Sequence, residues 1–366
     1  MRVLNVRNVD EALPYALDLL DRYGYRRDSR NGPVIQLREP VTTVYGCPWE
    51  RVILWPQRDA NPAFHLYESL WMLAGRNDVS PLLRYVKRFI DFSDDGKTLW
   101  DAYGYRWRHA FNGMNQLLNI ANMLKSNADD RRAVLQMWSP QMDLSRQGRA
   151  VPCNLTATFQ RGELGELNMV VFCRSNDIIL GAYGANAVHF SMLQEYLSVL
   201  IGCPMGTYSQ VSVNWHAYVG EYERLRSIPR PSEMRSVTGW LNTYDEGLVS
   251  TGSAVVPTRL IPIEEFGNVL GAVHRILDFA DYNIRFDPQS VWERVFVAVL
   301  ASHAAWKNVA LPVQERYDQA VALLDVEVTR YDWLVAMRGW LDRRYANAQG
   351  DIITKPTAVI IGEEAR

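Results

Sequence analysis

The stretch VPCNLTATFQRGELGELNMVVFCRSNDIILGAYGAN, residues 151–186, decides the fold. Residues 151–160 and 166–180 are rich in β-branched and aromatic side chains, and the GELGE segment between them supplies a turn, so they predict two neighbouring strands. Charged side chains in such a run cost free energy unless they are paired. Arg174 and Asp177 lie within the second run and mark it as a candidate functional segment.

The segments around this hairpin predict further strands and helices. Asn61 and Pro62 are a helix-start signal, and Gly75 and Asn77 predict a break between two helices within residues 61–90. The other predicted elements are a strand and an acidic amphipathic helix within residues 1–20, strands at 131–140 and 206–218, and helices at 113–126, 187–202, 264–281, 289–307, 313–325 and 326–347.

This order of elements predicts an α+β fold, with a mixed sheet, packed helices and a helical C-terminal extension. The strands lie before residue 225, and the later part of the chain is helical. We therefore expect a catalytic core at 1–225, a helical part of the same domain or a subdomain at 226–350, and a C-terminal tail at 351–366.

Composition limits the function. The 366 residues are 48% hydrophobic and 22% charged, which is typical of a soluble globular protein. A formal net charge of −2 argues against a broad electrostatic grip on nucleic acid. The four cysteines form no CxxC pair, so we expect neither a metal site nor a disulfide framework. No apolar run approaches the length of a membrane helix and no signal peptide is recognisable, so we expect a cytoplasmic protein without membrane contact.

Four short segments carry the chemistry: DDRRAV, VPCNLT, CRSNDIILGAYGAN and VNWHAY. Each is weak alone, because a strand cysteine is usually a core thiol and a lone histidine is usually structural. Together, in this order, they resemble the thymidylate synthase family, which includes phage enzymes that hydroxymethylate dCMP or dUMP. The resemblance runs from about residue 25 to about residue 225, and it implies a thymidylate synthase-like mixed sheet.

The resemblance implies roles for individual residues. HLYESLWMLAGRNDVSPL is similar to the helix with the catalytic glutamate, here Glu68, and TLWDAYGYRWR is similar to the folate-side segment. Arg131 and Arg132 match arginines that reach across a homodimer interface to the partner's phosphate. The implied catalytic set is Cys153, Glu68, Arg174, Asp177 and Tyr103. The implied nucleotide-binding set is Arg30, Arg131, Arg132, Arg174, Ser175, Asn186, His216 and Tyr218, and the implied cofactor-binding set is Trp100, Asp101 and Asp177.

The chemistry explains why these residue types occur together. C5 of a pyrimidine is a poor nucleophile until a thiolate adds to C6. We therefore expect a depressed pKa for the Cys153 thiol, favoured by nearby arginines such as Arg174. Several arginines suit a phosphate, because guanidinium groups bind it bidentately. The resemblance implies 5,10-methylenetetrahydrofolate as the carbon donor and Glu68 as the general base.

The sequence also departs from a thymidylate synthase. Asn154 follows the nucleophile, where those enzymes usually have histidine, and the run before Asn186 is one residue longer. The C-terminus is KPTAVIIGEEAR, in which Pro356 to Ile361 resemble the family's apolar tail but polar or small residues follow. A site that closes less tightly admits water, so these departures favour a hydroxymethyl product over a methyl product.

Single side chains predict which base and which sugar the bound nucleotide carries. The Asn186 amide can pair with the O4 and N3–H edge of uracil, whereas an aspartate there would suit cytosine. Asn186 therefore favours dUMP, with dCMP next. Ser175 and Arg132 match the deoxynucleotide enzymes. Thymidylate synthase and a CMP hydroxymethylase remain the alternatives.

Three other interpretations of the sequence place the protein outside this family of transferases. A cysteine hydrolase using Cys153 and His216 would need an orienting acid or amide and an oxyanion hole, and no motif for either is present. A non-catalytic nucleotide-binding protein would not require nearly every catalytic residue type to be retained. A chance match within an unrelated α+β protein is disfavoured by seven ordered matches over about 200 residues.

Overall fold

A mixed β-sheet forms the centre of the chain in the computed structural model, which describes residues 1–236, 242–245, 255–260 and 268–350. The predicted tail, including Pro356 to Ile361, lies outside the described residues. The strands are β1 (Arg2–Val6), β2 (Tyr25–Ser29), β3 (Gly32–Gln36), β4 (Val41–Tyr45), β5 (Val134–Gln136), β6 (Asn154–Arg161), β7 (Leu167–Asp177) and β8 (Met205–Tyr218).

The sheet order is β1-β4-β8-β7-β6-β5. β6 and β7 form the predicted antiparallel hairpin, while β7 and β8 run parallel. Because β8 is 14 residues long, its first half pairs with β4 and its last residues, up to Tyr218, pair with β3. β2 pairs with β3, so the β2–β3 hairpin is brought to the carboxyl end of β8.

Helices cover one face of the sheet and confirm the predicted α+β fold with a mixed sheet. None of the helices in the described ranges has the length and apolarity needed to cross a bilayer. The helices are α1 (Val9–Tyr23), α2 (Pro62–Leu73), α3 (Tyr103–Arg108), α4 (Gln116–Ser126), α5 (Pro140–Asp143), α6 (Asn186–Ile201), α7 (Val219–Arg224), α8 (Pro231–Ser236), α9 (Val269–Tyr282), α10 (Val291–Trp306), α11 (Val313–Ala322) and α12 (Asp332–Gln349).

The prediction of two α-helices within residues 61–90 was half wrong. Asn61 caps α2 by accepting a hydrogen bond from the Phe64 amide, as the start signal predicts. Gly75 has a φ of +76°, a left-handed conformation that ends the helix. The rest of the segment forms two short 3₁₀ turns, Ser80–Arg84 and Lys87–Phe92, instead of a second α-helix.

The C-terminal helices pack against α2, the helix that carries Glu68. The Asp281 carboxylate, on α9, accepts hydrogen bonds from Tyr67 at 2.7 Å and from Arg76 and Arg84, also at 2.7 Å. Only 2% of the Asp281 side chain is exposed. The helical third therefore supports the position of α2 behind the sheet.

The opposite face of the sheet has no covering layer within the described chain. Val134, Phe172 and Val213 project from β5, β7 and β8 on this face, and between 38% and 57% of each is exposed. Arg174 lies two residues after Phe172 on β7, so the two side chains project from the same face of the sheet. This face of the sheet therefore exposes apolar side chains beside Arg174.

Candidate active site

A cleft of about 670 Å³ lies where β7 and β8 end and the β2–β3 hairpin crosses them. The parallel register places Ser175 beside Asn214 and Asp177 beside His216. β3 pairs with the end of β8 and carries the hairpin loop over the cleft. Of the residues predicted from sequence, those that line the cleft are Arg30, Arg174, Ser175, His216 and Tyr218.

Arg30 lies at the tip of the β2–β3 hairpin. The turn depends on Gly32, whose φ of +111° disfavours any side chain. The Ser29 hydroxyl donates to the Gly32 carbonyl at 2.5 Å, and the Asn31 amide donates to the Tyr218 hydroxyl at 3.4 Å. These contacts tie the loop to β8 and bring the Arg30 guanidinium to the cleft.

Cys153 lies immediately before β6 with its backbone held on two sides. The backbone N–H groups of Cys153 and Asn154 both donate to the Tyr103 hydroxyl, at 3.0 and 3.1 Å. The Cys153 carbonyl accepts from the Arg174 backbone N–H at 2.9 Å. Tyr103 therefore acts first as an anchor for the backbone around the thiol.

The Arg174 side chain fastens the segment that leads into Cys153. Its Nε donates to the Pro152 carbonyl at 2.9 Å and its Nη2 donates to the Val151 carbonyl at 3.1 Å. Its guanidinium also lies 5.7 Å from the ring centre of Trp138. Arg174 thus keeps its positive charge next to the nucleophile, with one nitrogen facing neither of these carbonyls.

The expected depression of the Cys153 pKa is not found. Burial raises the pKa of the thiol, the Arg174 charge opposes that rise only in part, and the Asp101 carboxylate adds to it. The attraction between Arg174 and a Cys153 thiolate is therefore weaker than the free-energy cost of removing that thiolate from water. The unliganded protein keeps this thiol protonated near neutral pH.

Glu68 and Asp101 form an acidic pair behind the nucleophile. Burial raises the pKa of Asp101 to about 6, with a further contribution from the Glu68 charge. Since Asp101 also raises the pKa of the Cys153 thiol, all three groups share one electrostatic environment. His189, on α6, lies against Glu68, with 3.1 Å between His189 Nε2 and Glu68 Oε2.

A chain of side-chain amides runs through Asn186. Asn154 Nδ2 donates to Asn186 Oδ1 at 3.2 Å, Asn186 Nδ2 donates to Asn176 Oδ1 at 3.0 Å, and Asn176 Nδ2 donates to the Ser212 hydroxyl at 2.9 Å. Each amide keeps further donor and acceptor capacity. Asn186 therefore has one amide N–H and one oxygen lone pair that these hydrogen bonds do not use.

The extra residue before Asn186 is absorbed by a distorted turn at Ile178–Ala185. The backbone leaves helical geometry at Tyr183 and Gly184. A Cβ at Gly184 would lie 2.7 Å from the Ile179 carbonyl oxygen, so the turn requires glycine there. The distortion explains how Asn186 still reaches Asn154 despite the longer run.

Asp177 lies beside His216, which lines the cleft. Asp177 Oδ1 accepts from the Ile179 and Leu180 backbone amides at 2.7 and 2.6 Å, while Oδ2 is buried and has no hydrogen-bond partner among the residues described. Burial raises the pKa of Asp177 and lowers that of His216. His216 Nδ1 lies 2.7 Å from Asn214 Oδ1.

The folate-side residue Trp100 is anchored but accessible. Its indole N–H donates to Asp143 at 2.8 Å, and 37% of Trp100 remains exposed. The Arg146 guanidinium lies 3.8 Å from the ring centre of Trp100. A broad ring face beside Asp101 is thereby kept in a fixed orientation.

Arg131 and Arg132 are not brought to the cleft of their own chain. They precede β5, the strand at one edge of the sheet, and both are exposed. The Arg132 guanidinium pairs with Asp130 at 2.6 Å, although 81% of its side chain is exposed.

Sequence reasoning missed His189, Asn176 and Trp138. A signal existed for His189, because it follows Asn186 by three residues on a predicted helix and so shares its face. Asn176 alternates with Ser175 on a strand, which suggests that it points away from the cleft. Trp138 lies in a predicted strand with nothing to mark its contact with Arg174.

A family model and two named relatives show which proteins this chain is similar to in sequence. A sequence model described as thymidylate synthase matches residues 45–243. A protein of Pseudomonas phage M6 named deoxyuridylate hydroxymethyltransferase is 45% identical over 347 residues, which cover 94% of this chain and 95% of the relative. A protein of the same name from Bacillus phage SP01 is 34% identical over 201 residues, 52% of each chain. A solved structure of thymidylate synthase from T4 phage aligns with a TM-score of 0.49 and 21% identity, over 58% of this chain and 79% of that one.

Proposed function

Because the chain belongs to the thymidylate synthase family, whose members transfer one-carbon groups, we propose that it hydroxymethylates C5 of dUMP. The observation that carries the substrate is the Asn186 amide, which is hydrogen-bonded to Asn154, the residue after Cys153, and keeps one N–H and one lone pair unused. Uracil presents a matching acceptor at O4 and donor at N3. The name of the 45% identical phage relative supports the same base and product.

The cleft supplies groups for the rest of the nucleotide. Arg30 and Arg174 place two guanidinium groups in it for the phosphate. His216 and Tyr218 lie at its other end with ring centres 5.6 Å apart, where they can bind the sugar 3′-hydroxyl. Ser175 lies between these groups on β7 and completes a path from phosphate to base.

Cys153 supplies the nucleophile. The thiolate adds to C6, the C5=C6 electron pair moves into the ring as an enolate, and C5 then bonds to the donated carbon. Tyr103 and Arg174 hold the Cys153 backbone during these steps. Since the thiol is protonated in the free protein, its proton must leave when the nucleotide binds, and the charge of Arg174 favours that loss.

The residues on the folate side fit 5,10-methylenetetrahydrofolate. When bound, this molecule supplies the one-carbon unit. Asp177 Oδ2 is buried without a partner in the described chain, and the N–H groups of a pterin ring would satisfy it. The exposed ring of Trp100 and the adjacent Asp101 offer a surface for the rest of that ring system. Glu68 moves protons at C5 as the general base.

The functional unit we propose is a homodimer. The uncovered sheet face carries Val134, Phe172 and Val213, and it is continuous with Arg174 at the cleft. A second copy packed on this face would bring its Arg131 and Arg132 toward the first copy's phosphate. Since the substrates are cytoplasmic metabolites, we place this dimer in the cytoplasm, where its product would serve phage DNA modification.

A product assay tests the function directly. The protein would be offered dUMP, dCMP, UMP and CMP in competition with 5,10-methylenetetrahydrofolate, and the nucleotides would be analysed by mass spectrometry. We expect dUMP to gain CH2O and tetrahydrofolate to be released. A gain of CH2 with dihydrofolate would make the protein a thymidylate synthase instead. Cys153→Ser is the matched control and should yield no product.

A further inference from the structure

The contact between His189 and Glu68 is unusual for two buried polar groups. His189 Nε2 and Glu68 Oε2 lie 3.1 Å apart, and the side chains are only 5% and 12% exposed. Yet the contact lacks hydrogen-bond geometry, and neither atom has another hydrogen-bond partner in the described parts of the chain. Buried polar atoms in this condition cost free energy unless a further polar group joins them.

Glu68 and His189 lie near the position expected for the substituent at C5 of the bound pyrimidine. His189 follows Asn186 by one helical turn on α6. Asn186 is hydrogen-bonded to Asn154, the residue after Cys153. Glu68 projects from α2, which packs on α6, and it shares an electrostatic environment with Asp101 and Cys153. A pyrimidine ring paired with Asn186 and bonded to Cys153 would therefore place its C5 substituent near Glu68 and His189.

A water molecule is the smallest group that would give both atoms a hydrogen-bond partner. An imidazole nitrogen and a carboxylate oxygen that do not point at each other can both accept from one water, or one can accept while the other donates. His65 lies beyond, with its ring centre 6.5 Å from that of His189, and burial holds its pKa well below the usual value. His65 is thus neutral and does not compete for the Glu68 carboxylate.

We propose that His189 and Glu68 together hold the water that becomes the hydroxyl group, and that this pair takes its proton. The proposal rests on the proposed function. After the folate leaves, the exocyclic methylene at C5 is an electrophile conjugated to the C4 carbonyl. The water oxygen bonds to the methylene carbon, its proton passes to the pair, and the C5=CH2 electron pair moves to the C4 oxygen. The enolate then reforms C5=C6 and expels the Cys153 thiolate.

Hydride transfer to the same carbon would give methyl without any water. A base that takes a proton from water at this position is therefore needed only for the hydroxymethyl outcome. General-base assistance contributes roughly 100-fold to 10,000-fold to such a step. His189 is on this account a catalytic residue for the water-addition step and for no earlier one.

The test uses His189→Gln, whose side-chain amide occupies the position of the imidazole Nε2 but cannot act as a base. It measures separately the chemistry up to loss of the C5 hydrogen and the later addition of water. The first half is followed by release of tritium from [5-³H]dUMP in a single turnover with 5,10-methylenetetrahydrofolate. The second half is followed as hydroxymethyl product. A thiol such as 2-mercaptoethanol is added in a parallel reaction, because it captures an exocyclic methylene that water fails to reach.

We expect His189→Gln to release tritium within about threefold of the unsubstituted protein and to lose roughly 100-fold in hydroxymethyl formation. A thioether of the nucleotide should appear when thiol is present. His189→Asn should behave alike, and His274→Gln, on the exposed side of α9, should change nothing.

Other outcomes overturn the inference. Equal loss of tritium release and product, without thioether, would show that His189 acts earlier or only in folding. Unchanged hydroxymethyl formation would remove it from the reaction. A methyl product from the unsubstituted protein would overturn the proposed function, and the inference with it, while tritium release would still report the chemistry at Cys153.

Discussion

Asn154 Nδ2 lies 3.2 Å from Asn186 Oδ1, so the residue after the proposed nucleophile is hydrogen-bonded to the residue that we propose reads the base. Asn154 is 1% exposed, and its own Oδ1 has no partner among the described residues. Any rotation of the Asn186 amide must therefore be matched by Asn154 and Asn176. These hydrogen bonds make a flip of the Asn186 amide, which would exchange its oxygen and nitrogen, costly in free energy. They therefore favour one arrangement of donor and acceptor toward the pyrimidine ring.

Asn186→Asp should change the base preference. An ionised carboxylate accepts only, so it repels the O4 of uracil, whereas it accepts from the N4 amino group of cytosine. We expect the ratio of kcat/KM for dCMP to that for dUMP to rise by roughly 100-fold or more. Steady-state kinetics with both nucleotides measures it. Asn119→Asp, at an exposed position on α4, is the matched control, and an equal shift there would contradict direct reading by Asn186.

The raised pKa of Cys153 gives a prediction on pH. Because the thiol is protonated below its pKa, the thiolate fraction should rise about tenfold per pH unit across the neutral range. The rate of alkylation by iodoacetamide at Cys153, followed by peptide mass spectrometry, should rise in the same way. Arg174→Gln removes the charge that opposes the raised pKa and should slow alkylation further. A rate that levels off near neutral pH would show a thiolate already present.

Tyr103→Phe should weaken both folding and catalysis. It leaves the backbone N–H groups of Cys153 and Asn154 without their acceptor. An unsatisfied buried amide costs about 1–3 kcal/mol, so we expect a loss in that range in the free energy of unfolding, measured with urea. Tyr105→Phe, on the same helix and 38% exposed, is the control and should lose little. Equal losses in both variants would deny Tyr103 its anchoring role.

The C-terminal helices should contribute to stability through Asp281. Asp281→Ala leaves Arg76 and Arg84 without their shared carboxylate and Tyr67 without its acceptor. Removing one partner from a buried pair costs about 3–5 kcal/mol, but both arginines reach solvent, so we expect about 2 kcal/mol. Urea unfolding measures it, and the exposed Asp278→Ala is the control. Unchanged stability would mean that α9 is held by its apolar contacts alone.

The sequence predicted what depends on local pattern. The β6–β7 hairpin follows from alternation and a glycine turn, and the start of α2 follows from Asn61. The second helix of residues 61–90 failed because apolar spacing alone does not distinguish an α-helix from the two 3₁₀ turns that form after the break at Gly75. The expected depression of the Cys153 pKa failed for a related reason, since burial depends on what packs over a residue and not on its neighbours in sequence.

The site was predicted to the extent that residues lie in recognisable segments. Arg30 lies outside the four segments that carry the chemistry, yet the pairing of β3 with β8 brings it to the cleft. His189 and Asn176 come into play only when α2, α6 and β7 pack together, because their partners Glu68 and Asn186 lie elsewhere in sequence. Contacts of this kind need tertiary structure to be seen.

The dimer prediction can be tested by mixing two inactive variants. Cys153→Ser keeps Arg131 and Arg132, while a chain with both arginines changed to Glu keeps its nucleophile. If the arginines act across the interface, a mixed dimer has one complete site, and random exchange should restore about a quarter of the activity. Activity is measured after the variants are mixed, unfolded together and refolded.

Glu68→Gln mixed with Cys153→Ser is the control for that experiment. Glu68 shares an environment with Asp101 and Cys153 of its own chain, so neither site of this mixed dimer is complete. No activity should return. Equal recovery in both mixtures would mean that whole sites re-form by another route, and no recovery in the arginine mixture would place Arg131 and Arg132 outside the partner's site. Only recovery confined to the arginine mixture requires a side chain to cross the uncovered sheet face.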